Sequence, residues 1–246
     1  LYKNDSGFSS RIGGGLGYKI PTIFTEQTET NQYQNVLALN NVEAERSIGG
    51  TTDVNFKTNL ADDFVLSINQ MFFVTRINKP FILQYSGVNT FFINADKPVI
   101  SNGFETNLKF IFKEDLKFFV GYTFTNAKAK YLTSNQFLPL LPKNKLNMAL
   151  IFEKENNFKL GLEGFFTDQQ FLYNGTQTPT FWEFGFMAEK TLWKNYSFFI
   201  NFENFTDTRQ SNYKPVVNGS HNNPTFDDIW THTEGATING GIKLKF

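Results

Sequence analysis

The chain holds two histidines, His221 and His232, and both fall in one polar stretch beside Asp227, Asp228 and Glu234. A histidine within reach of a carboxylate is the least equipment needed for general acid–base chemistry or for holding a metal ion. The same stretch is rich in Asn, Gly and Pro, which impose no fixed geometry, so solvated loop surface accounts for these residues more plainly. The run Gly13-Gly14-Gly15-Leu16-Gly17 has the composition of a phosphate loop, but such a loop needs a helix N-terminus after its glycines. Pro21 and a polar segment follow instead, so the glycines are read as leaving room for a plug or a neighbouring strand. The Asn-x-Ser/Thr triplets at Asn4, Asn174, Asn195, Asn204 and Asn218 are chance in a chain this rich in Asn. With no cysteine there is no disulfide scaffold, Cys-ligated zinc or thiol nucleophile. No catalytic residue, metal site or cofactor is expected. The 23 basic and 23 acidic side chains balance, which leaves no electrostatic footprint for nucleic acid.

The elements that position these residues are strands. Phe158, Leu160, Leu162, Gly164 and Phe166 alternate with Lys159, Gly161, Glu163 and Thr167; Trp182, Phe184, Phe186 and Ala188 alternate with Glu183, Gly185 and Glu189. The same period of two runs through Tyr196, Phe198, Ile200 and Phe202, and through Ile238, Gly240, Ile242, Leu244 and Phe246. This is the pattern of strands with one apolar and one polar face. Ten segments follow it, at 7–20, 45–58, 62–78, 89–112, 115–130, 143–154, 156–169, 179–193, 195–206 and 235–246. Several exceed the globular mean of about five or six residues and match the roughly 9–11 that cross a bilayer at a tilt. No apolar run approaches the roughly 18–20 residues of a transmembrane helix; the longest, such as Met148–Phe152, fall far short.

Connection lengths alternate too. Short turns fall at Thr58–Asp62, Lys113–Asp115, Lys154–Asn156 and Lys194–Asn195, and long polar connections at Pro21–Val42, Asn78–Val88, Ala129–Pro142, Gln169–Thr178 and Thr206–Glu234. Taking 89–112 as one long strand, short turns lie at one rim and long loops at the other, as in an outer-membrane barrel. The fold expected is all-β, a transmembrane antiparallel β-barrel, with the Phe-rich face on lipid and the polar face toward a wet or plugged lumen. Tyr18, Tyr122, Trp182, Trp193 and Tyr196 are expected at strand ends as an interfacial girdle, and Arg11, Asp53, Glu105, Lys109, Glu163 and Glu203 are expected to pair across the lumen or touch a plug. A soluble sandwich or lipocalin-like barrel is the competing reading, and it leaves the strand lengths and lopsided loops unexplained.

The C-terminal segment Asn239-x-Gly241-x-x-Leu244-x-Phe246 resembles the assembly signal of outer-membrane barrels, read as an edge strand by the barrel assembly machinery. The whole chain resembles the C-terminal half of the barrel of a TonB-dependent outer-membrane receptor. Five stretches carry this: Arg11–Glu26, Asn41–Ser47 (NVEAERS), Phe92–Glu105 (FINADKPVISNGFE), Asn201–Gln210 (NFENFTDTRQ) and Glu234–Phe246 (EGATINGGIKLKF). The Arg common after Glu-Gly in that family is Ala236 here.

The resemblance implies a barrel of about 22 strands with a plugged lumen, of which residues 1–246 supply the C-terminal portion. The plug and earlier strands, and contact through the plug with a TonB-type energy transducer, then lie outside the sequence, and LYKNDSG at the start carries no signal peptide. It implies an importer of a scarce nutrient such as a ferric siderophore in the outer membrane of a Gram-negative bacterium, bound by long loops and upper lumen. Tyr173, Arg209, Tyr213, Trp230 and His232 are the contacts expected there. Two alternatives stand beside it: a complete ten-stranded barrel enzyme of the omptin type using the loop His and Asp residues, and a barrel fragment held by the insertion machinery through its C-terminal strand.

Overall fold

The computed structural model describes residues 1–4, 6–24, 35–133, 135–193 and 195–244. Among the described residues fifteen strands are formed: β1 Tyr2–Lys3, β2 Phe8–Lys19, β3 Glu45–Ala61, β4 Phe64–Asn78, β5 Phe81–Ser86, β6 Asn89–Asn94, β7 Val99–Phe112, β8 Leu116–Ala129, β9 Asn144–Lys154, β10 Phe158–Thr167, β11 Phe181–Trp193, β12 Tyr196–Glu203, β13 Val217–Ser220, β14 Asn223–Phe226 and β15 Thr237–Leu244. The one helical element among the described residues is a 3₁₀ turn at Gln210–Asn212.

Eleven strands build a single antiparallel sheet in the order β1-β2-β3-β4-β7-β8-β9-β10-β11-β12-β15, whose two ends do not pair with each other. The short turns all lie at one rim and the long connections at the other, as the sequence predicts. One expectation is corrected: 89–112 is not one strand. Ala95-Asp96-Lys97-Pro98 separates β6 from β7, and Pro98 has no N–H to give a ladder. The split does not upset the up-and-down order, because β6 pairs only with β5, in a hairpin inside a long loop.

Register explains how the faces stay separate. Every main-sheet pairing outside the bulges sets an even-numbered residue opposite an even-numbered one, as in the row Phe8–Phe56–Ile68–Leu108–Val120–Met148–Gly164–Phe184. A slip of one residue in any strand would turn its side chains to the wrong face. The result is a continuous apolar surface with aromatic contacts across strands, such as Phe104 with Phe72 at 6.3 Å and with Phe124 at 5.6 Å.

None of the described residues covers that surface. Among the described residues, the substantial contacts between strands are those of hydrogen-bonded neighbours, so no second sheet packs on this face. Ile48, Phe72, Val74 and Ile242 remain exposed, and the buried apolar residues sit instead at the long-loop end or in the loops. In water this face would carry a cost near 25 cal/mol per Å²; hydrocarbon removes it. The eleven residues Phe64–Val74, at ~3.4 Å each and ~45° tilt, project to roughly 26 Å, close to the apolar band of membrane barrels. Gln70 and Thr106 fall on this face and satisfy one another: Thr106 Oγ1 donates to Gln70 Oε1 at 2.6 Å, and Gln70 Nε2 donates to the Glu105 carbonyl at 3.2 Å.

Of the expected girdle, Tyr18 and Trp182 lie at the long-loop end, and Trp193 and Tyr196 meet edge-on at 5.8 Å at the short-turn end. Tyr122 departs from the expectation, being mid-strand in β8. It is level with the start of β9, and its hydroxyl donates to Asn144 Oδ1 at 2.7 Å. On the polar face, Arg11 Nε of β2 meets Asp53 Oδ2 of β3 at 2.9 Å, Asn69 Nδ2 of β4 donates to Asn55 Oδ1 of β3 at 2.7 Å, and Asn55 Nδ2 donates along β3 to Asp53 Oδ1 at 2.6 Å. Lys109 lies over the Phe119 ring. Gly103 serves backbone packing, since any β-carbon there would run into the Phe124 carbonyl oxygen and the Phe73 ring.

Candidate functional site

The polar face and the long loops meet in a cavity of about 740 Å³. Lys145 and Asn147 of β9, Phe165 and Thr167 of β10, and Phe181 and Glu183 of β11 supply its wall. All are odd-numbered, so the parity that puts phenylalanines on the outer face puts these side chains on the inner one. The opposite side is residues 229–234 of the last long connection, a strap laid back over the sheet before β15 begins.

Hydrogen bonds over long sequence separations hold the strap. Gln210 is fully buried; its Nε2 donates to the Asp228 carbonyl at 2.9 Å, its Oε1 accepts from the Trp230 N–H at 3.0 Å, and its own N–H donates to the His232 carbonyl at 2.8 Å. Gln170, also buried, donates from Nε2 to the Trp230 carbonyl at 3.1 Å. Between these clamps Trp230 packs with Phe181 and Leu172, and Leu140 lies against the cluster. His232 Nε2 meets Glu183 Oε2 at 2.7 Å, which ties the strap to β11. Asp228 Oδ2 accepts the Tyr173 N–H at 3.0 Å; burial is the main cause holding its carboxyl above the usual range, with Asp227 adding to it and the Tyr173 bond opposing it.

Below the strap, Asn204 Nδ2 donates to the Thr208 carbonyl at 2.7 Å and Asn204 Oδ1 accepts the Thr208 N–H at 2.9 Å, closing the turn after β12. Asp207 Oδ1 accepts the Ala236 N–H at 3.2 Å and occupies the place that a side chain at Gly235 would need. The Asn-x-x-Asn-x-x-Asp-x-Arg and Glu-Gly stretches are thus two halves of one lock.

The expected contact residues divide among three places. Trp230 and His232 line the cavity. Tyr213 backs Trp230 with ring centroids 5.5 Å apart, and Arg209 is paired with Asp207 at 3.2 Å, outside the cavity wall. Tyr173 lines a second cavity of about 620 Å³ with Tyr85 and Tyr131, under the β5–β6 hairpin; burial raises the Tyr131 hydroxyl above its usual pKa. Sequence reasoning did not single out Gln170 and Gln210, nor Glu183 as a partner of His232. The inward parity of Glu183 was the one signal for the last. His221 occupies the turn of the β13–β14 hairpin, while His232 faces Glu183, so the two histidines do not form one centre. No cluster of three metal-ligating side chains occurs among the described residues.

In the C-terminal segment, Asn239 Nδ2 donates to Glu203 Oε1 at 2.7 Å and Asn239 Oδ1 accepts from Asn201 Nδ2 at 2.9 Å. Gly241 leaves room for the Phe199 ring, and Leu244 ends β15. Phe246 lies outside the described residues.

No protein-family model and no curated protein matches the sequence. Solved structures do match the fold, among them the TonB-dependent receptors PfeA, OprC, FrpB and Fiu. The chain therefore has the architecture of part of such a receptor's barrel: an all-β, largely antiparallel sheet, not closed on itself among the described residues. A variant of the ferric enterobactin receptor PfeA of Pseudomonas aeruginosa superposes with a TM-score of 0.72 at 14% identity, over 100% of this chain and 39% of that one. The copper transporter OprC gives 0.72 at 13%, over 99% and 38%. The FrpB iron transporter of Neisseria meningitidis gives 0.67 at 15%, over 100% and 38%. The chain thus spans under two-fifths of the length of these neighbours. They are receptors and transporters, not enzymes.

Proposed function

We propose that the chain is the C-terminal portion of the barrel of an energy-coupled outer-membrane receptor, which imports a scarce nutrient such as a ferric siderophore into a Gram-negative cell. One observation carries this: a single-layer sheet of membrane-crossing length turns a continuous phenylalanine face outward, over a likeness to importers that covers the whole chain. The free edges of β15 and of upper β2 carry unpaired backbone groups, which hydrocarbon does not tolerate. Further strands from the same receptor would close the wall, and a plug, contacted by a TonB-type energy transducer, would fill the lumen. The cavity under the strap receives the nutrient, with Trp230 and His232 as contacts, Tyr213 behind them, and Arg209 and Tyr173 at the loop surface. During insertion the barrel assembly machinery would pair with β15, reading Asn239, Gly241, Leu244 and Phe246.

Deleting the gene tests this. Under iron limitation, uptake of labelled ferric chelates should fall to background, and loss of the energy-transducing protein should do the same. The protein itself should fractionate with the outer membrane. Unchanged uptake across a panel of scarce nutrients, or a water-soluble product, rejects the reading.

A further inference from the structure

The charge around the cavity narrows what it can hold. Among the described residues its lining carries one lysine, Lys145, against Glu183 and Glu234, and His232 is engaged with Glu183 at 2.7 Å. Neighbouring cations are occupied elsewhere: Arg209 with Asp207 at 3.2 Å, Lys214 with Asp227 at 2.7 Å, and Lys143 over the Phe137 ring at 4.9 Å. The rest of the wall is ring faces, amides and hydroxyls, with Leu140, Pro142 and Ile229 adding aliphatic surface. Rings give flat apolar contact, whereas amides and hydroxyls both donate and accept. On this wall of the site a polyanion meets carboxylates and little to neutralise it, and charges left unpaired in a partly desolvated site weaken binding.

We propose that this cavity selects a ligand without net negative charge, bearing hydroxyl or carbonyl groups beside a flat or apolar surface, and disfavours polyanions. The proposal rests on the receptor reading above and deepens it. Fe(III) held by three catecholate dianions is a trianion, whereas Fe(III) held by three hydroxamates is neutral, so two ferric chelates of similar use differ in the property at issue. A neutral oligosaccharide shares the favoured chemistry without the metal. The volume, about 740 Å³, falls within the ordinary range for small-molecule sites.

The test measures equilibrium binding to the purified full-length protein in detergent, by calorimetry, at low and physiological salt. The probes are a neutral ferric tris-hydroxamate, maltoheptaose and ferric enterobactin. One neutral probe should bind at least tenfold more tightly than the trianion, and which one binds separates a chelate from a carbohydrate. Glu183→Gln and Glu234→Gln should each improve trianion binding by about tenfold at low salt, as expected for removing one like charge ~10 Å from three. Neither should improve neutral-probe binding in this way, because an uncharged probe has nothing for the carboxylate to repel. Tightest binding of ferric enterobactin, or no response of its affinity to either substitution, overturns the inference and leaves the receptor reading intact. Failure of the deletion strain to lose any energised uptake removes that reading, and this inference with it.

Discussion

Phe72 and Val74, midway along β4, are 51% and 53% exposed, whereas Trp230, in the connection before β15, is 8% exposed. The wall and the strap thus bury apolar surface by different means. In the wall, cross-strand pairs hold register and, on the receptor reading, surrounding lipid supplies burial. In the strap, the chain makes its own small core from Leu172, Phe181 and Trp230 and closes it with two buried glutamines. The wall's stability is therefore a property of protein and membrane together. The strap's is local, small, and open to single substitutions.

Four experiments bear on this difference, and the largest effect belongs to the wall's backbone. Gly103→Val should destabilise the sheet by more than about 3 kcal/mol, because the new side chain meets the Phe124 carbonyl and cannot be accommodated by rotamer change alone; loss of SDS resistance in outer-membrane fractions reads this. Next come the two faces. Leu108→Arg should cost about 2–4 kcal/mol in lipid vesicles, while Asn107→Arg, one residue away on the polar face, should cost below about 1 kcal/mol. Equal denaturation midpoints for the pair would mean that the faces have been assigned wrongly.

In the strap, Gln210→Ala leaves the Trp230 N–H and the Asp228 carbonyl without their partner and should cost about 1–3 kcal/mol locally. Trp230 emission should move to longer wavelength and residues 209–234 should become protease-sensitive, with far-ultraviolet dichroism unchanged. The smallest effect is a titration. Because the folded Asp228 carboxyl is raised, its contribution to strap closure is fully present below the ordinary carboxylate range and is lost as pH rises through the raised value. Trp230 emission should report a tighter strap at the acid end of that window, and Asp228→Asn should remove that component. A native-like titration in Asp228→Asn would assign the effect to other groups.

The wall was legible because a strand repeats every two residues, so Phe158–Phe166 and Trp182–Ala188 display both faces in the sequence. The misread stretch, 89–112, shows where that logic weakens. Alternation resumes on both sides of Ala95–Pro98, and the proline was the warning. The strap was not legible. Gln210 is joined to residues 18 and 20 positions away, and Gln170 to one 60 away. A glutamine in a polar loop looks the same in sequence whether solvated or buried. Trp230 and His232 stood out by residue type alone; only the returning loop reveals that they share a cavity with Glu183.

Gly235 lies beneath Asp207, and Ala236 donates to the same carboxylate. The last strand is consequently anchored at its loop end, independently of its rungs with β12. If β15 slid by one position, Glu234 or Ala236 would arrive where only a hydrogen fits, and the shifted hairpin would be rejected by collision before its faces were ever compared. Proofreading of the terminal hairpin is in this way delegated to a single missing methyl group.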